Sequence, residues 1–183
     1  MMMWDQWLLG VRAATGSPVI LYLLLTASLV GVACQSRFTT GEWLRGVLRL
    51  INAMVLGVVV ALYAPDSLVM AVVGFAIVTA LLVSIHLPLR TLWGRALMMR
   101  VPAALSGLVV ALLFVGHDVA TTPVAILLGV MTAILLIVVA GWGILALAGR
   151  FLPESAFVIA QRVLGAWLVA IGVMTLTFIV MQW

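Results

Sequence analysis

The sequence predicts an all-α polytopic membrane protein with six transmembrane helices. Three observations predict it. Hydrophobic residues make up 67% of the 183 positions, charged residues 8%, and the mean hydropathy is +1.39, far outside the range of water-soluble domains. Six apolar stretches approach the roughly 20 residues that cross a hydrocarbon core at 1.5 Å per residue. All nine basic residues are arginines, and eight of them cluster in alternate gaps between those stretches, the pattern of a multi-span chain laid into a bilayer in one orientation.

The elements follow in order. Met1 to Arg12 reads as a short amphipathic lead in which Trp4 and Trp7 anchor at the membrane interface; it lacks the basic start and cleavage pattern of a signal peptide. The spans are expected at Ser17 to Cys34, Val47 to Ala64, Ser67 to Leu87, Val101 to Gly116, Pro123 to Ala148 and Ala156 to Met181. The fourth is short, and the last two are long enough to tilt or protrude. Arg37, Arg45 and Arg49 fall in the first gap, Arg90, Arg95 and Arg100 in the third, Arg150 and Arg162 in the fifth. The odd loops are therefore expected in the cytoplasm of a bacterial cell and both termini on the periplasmic side of its inner membrane; only Arg12, offset by Asp5, opposes this. Pro65 with Asp66, and His117 to Thr122, make tight outer turns, so spans two and three, and four and five, should form antiparallel hairpins.

The chain reads as a single membrane domain over 1–183, with a possible duplication into 1–92 and 93–183. Spans one and four both carry a proline in the first turn, Pro18 after Ser17 and Pro102 after Val101, where its fixed φ and missing amide hydrogen cost nothing. Three spans per half would place the halves upside down relative to each other, an arrangement that puts a transporter's site at the midplane. Proline at a helix start is also common for purely local reasons.

Chemistry inside the membrane is sparse. No Asp, Glu, Lys or Arg lies mid-span, which argues against a buried-carboxylate ion pump and leaves no metal ligands, and neither histidine has a helix-spaced second for haem. No nucleophile has an adjacent base, and phosphate loops are absent, so no catalytic residues, cofactor or metal are expected. The isoelectric point near 10.7 reflects topology and not nucleic acid, because the arginines flank apolar segments and form no patch. Cys34, the single cysteine, reads as a packed or lipid-facing thiol.

The polar residues within spans are Thr26, Ser28, Asn52, Thr79, Ser84, Ser106, Thr132, Thr175 and Thr177. Hydroxyls at such depth bond back to the preceding turn or across to a neighbouring helix. Asn52 stands apart, since its own helix cannot satisfy a primary amide; it either clamps two helices or lines a solute path. Ala103 and Gly107, Gly129 and Ala133, and Ala166 and Ala170 sit four apart and mark helix contact faces. Gly141 and Gly143 around Trp142 read as a hinge or a packing notch. His117 with Asp118 reads as a wet outer turn or a sensor, and His86 as an interface residue.

The runs Leu145-Ala-Leu-Ala-Gly-Arg150 and Gln161-Arg-Val-Leu-Gly165-Ala-Trp-Leu-Val-Ala170-Ile-Gly172-Val resemble the end of MarC-family inner membrane proteins. Arg100-Val-Pro102-Ala-Ala-Leu-Ser106-Gly107 falls where that family opens its fourth span with Pro-x-Leu-Ala-Gly-Pro-Gly, and Ser17-Pro18 falls at its Asn-Pro-x-Gly. This chain has serine for the asparagine, no glycine after Pro18 and no second Pro-Gly after Gly107. A fainter similarity is to HdeD-like proteins, through Pro65 and Pro123 in the outer turns. The MarC resemblance implies a transporter or exporter of the LysE-like type, and the uncharged spans, with helix openings and a few hydroxyls, suit a small neutral or zwitterionic solute. Ser17, Pro18, Asn52, Pro102, Ser106 and Gly107 are its candidate binding residues. The alternative is a non-transporting accessory or structural subunit. Partners are then the bilayer, a small solute, and either further copies of the chain or a larger membrane complex.

Overall fold

A computed structural model describes residues 3–33, 40–63, 68–85, 98–114 and 122–182, with only the backbone of Thr40, Glu42 and Gln182. Seven α-helices account for nearly all of these: α1 (Met3–Gly16), α2 (Pro18–Ala33), α3 (Thr40–Ala61), α4 (Leu68–Ile85), α5 (Val101–Phe114), α6 (Val124–Phe151) and α7 (Glu154–Gln182). The readings placed on Cys34, Arg37, Pro65, Asp66, His86, Arg90, Arg95, His117 and Asp118 lie outside the described residues.

Proline sets the start of four helices, where a missing amide hydrogen is no loss. Pro18 is the first residue of α2 and Pro102 the second of α5, while Pro123 and Pro153 immediately precede α6 and α7. The chain bends by 78° between α1 and α2 at Ser17. The break ends one hydrogen-bond ladder and begins another, in which Leu21 N donates to Ser17 O at 3.1 Å.

The layout follows from which helices are apolar on every side. A helix with no polar face belongs inside. The two shortest of these, α2 and α5, are also the most completely buried, with Leu23, Leu24, Ala27 and Val30 of α2 and Leu105, Val109, Val110 and Ala111 of α5 at 0% exposure. The longer helices wrap around them. The most extensive contacts are α3 with α5, α1 with α6 and α4 with α7, each joining the first half of the chain to the second. α2 touches α1, α4, α5, α6 and α7.

Close approach at glycine makes these pairs possible. A Cβ on Gly107 would collide with the backbone of Ala53, one on Gly57 with the backbone of Gly107, and one on Gly10 with the backbone of Ile126. In a membrane, where lipid is as apolar as leucine, association depends on this kind of backbone-level packing. Two of the expected small-residue stripes are thus contact faces. The third is not: Ala166 and Ala170 face outward, and α7 instead turns Gln161, Gly165, Leu168 and Gly172 inward, with Gly165 against Ala80 and Ser84 of α4.

Four helices, α3, α4, α6 and α7, are long and apolar enough to cross a membrane, and α1 with α2 adds a fifth if the bent pair is one span; α5 is a shorter apolar helix. Boundaries differ most at α3, which begins at Thr40 and not near Val47. Arg45 and Arg49 consequently sit on a helix, as do Arg150 in the last turn of α6 and Arg162 two turns into α7. The lead is helical from Met3 to Gly16, with Trp4 and Trp7 stacked at 5.0 Å on α1.

Candidate functional site

Each buried serine and threonine hydroxyl bonds to a carbonyl of its own helix. Thr26 Oγ1 donates to Tyr22 O (2.9 Å), Ser28 Oγ to Leu24 O (2.9 Å), Thr79 Oγ1 to Ala76 O (2.9 Å) and Ser106 Oγ to Pro102 O (2.8 Å). Ser84, Thr132, Thr175 and Thr177 do the same with Leu81, Leu128, Ile171 and Val173. The interior that these residues share is apolar, and its buried polar members among the described residues are Thr26, Ser28, Thr79, Ser106 and Gln161, none charged.

The six candidate binding residues are spread over the fold. Ser17, half-buried, and Pro18, exposed, mark the break at the start of α2. Pro102, Ser106 and Gly107 lie together on α5, the last two fully buried and Gly107 against α3. Asn52 is exposed on α3, on a flank shared with Ile51, Val55 and Leu56, although its neighbour Ala53 touches Gly107. Pro102 lines a cleft; the other five do not.

That cleft has a volume of about 150 Å³ and opens where α2, α3, α5 and α6 meet. Its walls are Gly31 at the end of α2, Arg45, Gly46, Arg49 and Leu50 on α3, Met99, Pro102 and Ala103 at the start of α5, and Trp142 on α6. Local sequence builds each wall. Arg45 and Arg49 are four residues apart and so share a face of α3. Glycine at positions 31 and 46 admits the buried indole of Trp142, which would collide with a Cβ at Gly31 and crowd one at Gly46. Trp43 meets Trp142 edge to face, with centroids 6.2 Å apart and planes at 84°, a favoured geometry for aromatic pairs. Gly141 is a packing notch for Ser28, and α6 runs unbroken past it.

The charged side chains that line the cleft among the described residues are Arg45 and Arg49, both positive. Neither guanidinium has an ion pair or hydrogen bond to a described residue, and the amide groups of the first turn of α5 add positive potential at the same end. No group of three metal-ligating side chains occurs among the described residues.

Sequence reasoning missed three members of this region. Trp142 was noticed only for its flanking glycines, and Arg45 and Arg49 only as topological marks, although their spacing of four with Asn52 three further on is a helical row. Gln161, 5% exposed on α7, enters the sequence reading only as the start of the MarC-like run, because it lies beside Arg162 at the polar opening of the last span.

The fold and its surface define the class: the apolar helices are those of a helical integral membrane protein. No family model, curated protein or solved structure matches the chain.

Proposed function

We propose that this is a six-span inner-membrane transporter or exporter of a small neutral or zwitterionic solute, with both termini periplasmic. The observation that carries the proposal is the 78° break at Ser17, at the entry to the most central helix. Discontinuous spans present helix-end dipoles at depth, and transporters use them to hold solutes without buried charge. The uncharged interior suits such a solute. The pattern of contacts supports two inverted repeats, 1–92 and 93–183. Exchanging α2 with α5, α3 with α6 and α4 with α7 maps the α2–α6 contact onto α5–α3 and leaves α2–α5 and α4–α7 unchanged, and all four contacts are made. The MarC-like run from Leu145 to Gly172 points the same way.

A flux measurement tests this. Vesicles containing the protein should shrink and recover faster than protein-free vesicles when challenged with glycerol, urea or alanine, and Pro18→Ala, which favours a straighter α1–α2 junction, should change the rate. Flux equal to protein-free vesicles for all three solutes would overturn the transport reading.

A second reading, an accessory subunit of a membrane complex, is favoured by one observation: the buried hydroxyls of Thr26, Ser28, Thr79 and Ser106 are all turned back onto their own helices. It predicts no flux for any of the three probes.

A further inference from the structure

We propose that the cleft between Arg45, Arg49 and Trp142 holds a phosphate oxyanion, presented by the headgroup of an anionic phospholipid in the arginine-side leaflet. The inference stands on the cleft and the exposed row of α3 beside it and does not depend on transport.

Charge defines the ligand as an anion. Two guanidiniums line one small cavity, and neither is neutralised by a described residue. Guanidinium groups present planar forks of donors that match phosphate oxygens two at a time, so a pair one helical turn apart can grip a tetrahedral oxyanion from two sides. A simple topological role needs each arginine only to stay near the headgroups. It does not need two of them on the same wall of a cavity backed by a buried tryptophan.

Size argues against a whole organic solute. About 150 Å³ is below the roughly 300–1,000 Å³ of pockets that enclose drug-sized ligands, but it accommodates a phosphate and its ester links. The remainder of the ligand must therefore lie outside.

The surface of α3 indicates what that remainder is. Arg45, Arg49, Asn52, Leu56 and Val59 follow one another at spacings of four, three, four and three, a single row along the helix. All five are exposed, Leu56 at 64% and Val59 at 51%. The row passes from two cations through one amide to bare apolar side chains, the same order as phosphate, ester linkage and acyl chain in a lipid. An amide on a lipid-facing flank is costly unless partnered, and the ester carbonyls of a lipid held at Arg49 would lie within its reach. Basic pockets between helices on the cytoplasmic side recognise lipid headgroups in this way.

Native mass spectrometry of the full chain in mild detergent with phosphatidylglycerol tests the proposal. The wild type should retain one phosphatidylglycerol per chain. Arg45→Gln with Arg49→Gln should weaken binding by roughly tenfold for each guanidinium removed, while Arg162→Gln, on the exposed face of α7 away from the cleft, should bind as the wild type does. Equal binding by all three proteins would overturn the proposal. A second arm needs no variant and is immune to misfolding: phosphatidylglycerol is added to delipidated wild type with millimolar inorganic phosphate in competition. Lipid binding undiminished by inorganic phosphate supports the headgroup, whereas displacement by it would assign the cleft to a soluble oxyanion and overturn the lipid assignment.

Discussion

Gly57 of α3 and Gly107 of α5 meet backbone to backbone, so that a Cβ on Gly57 would collide with the carbonyl group of Gly107. This contact joins a helix of the first half to a helix of the second, and no side chain intervenes.

Gly107→Leu is therefore expected to destabilise the fold by about 1–3 kcal/mol or more, the usual cost of overpacking a rigid interface. Gly74→Ala provides the contrast. A Cβ there meets nothing within 4 Å, so the substitution should be neutral or stabilise α4 by about 0.5–1 kcal/mol through helix propensity. Unfolding in mixed detergent read by circular dichroism distinguishes them; equal stability of the two variants would contradict the packing described.

Trp142→Ala removes the floor of the cleft and the partner of Trp43. A loss of about 3–5 kcal/mol is expected for truncating so large a buried side chain. The edge-to-face pair should also vanish from the near-ultraviolet circular dichroism spectrum, and Trp43→Ala should remove the same signal. Retention of that signal in either variant would count against the geometry.

Ser106→Ala should change stability by less than about 1 kcal/mol, because the hydroxyl bonds back to Pro102 O within its own helix and no neighbour depends on it. A larger loss in equilibrium unfolding would mean that the Ser106 hydroxyl also bridges helices.

Orientation is open to labelling. In a Cys34→Ser background, single cysteines replacing Arg45, Arg100 and Arg150 should react with an impermeant maleimide from one side of the membrane, and one replacing the exposed Val124 from the other. Labelling of Arg45→Cys and Arg100→Cys from opposite sides would refute the shared arginine face.

Length and uniform apolarity made α4, α6 and α7 legible in the sequence to within a few residues, because a bilayer selects directly for both. The start of α3 was less so. The expected span opens only at Val47, which leaves Arg45 in the preceding gap, yet arginine and leucine are good helix formers, and the helix already begins at Thr40. Ser17 and Pro18 mark a helix start in the sequence, but the 78° bend there and the packing of Gly10 against α6 just before it are tertiary features that no local pattern encodes. The cleft was the least legible feature. Its walls come from four helices, and the residues that shape it, Gly31, Gly46 and Trp142, acquire meaning only when those helices are side by side. Asn52 stands out in the sequence as a primary amide within a span; which way it faces is set by the rotation of α3, where Gly57 and Ala53 pack against Gly107.

The pairing of α1 with α6, α3 with α5 and α4 with α7 bears on how the protein is made. Ribosomes deliver the amino-terminal helices first, and until α5 to α7 emerge, the glycine faces at positions 10 and 57 have no surface to dock on. Final assembly must wait for the last helix to leave the insertion machinery. Nascent chains stalled before Glu154 would then be held by a membrane chaperone or cleared by proteases, and two separately expressed halves would accumulate only when produced together.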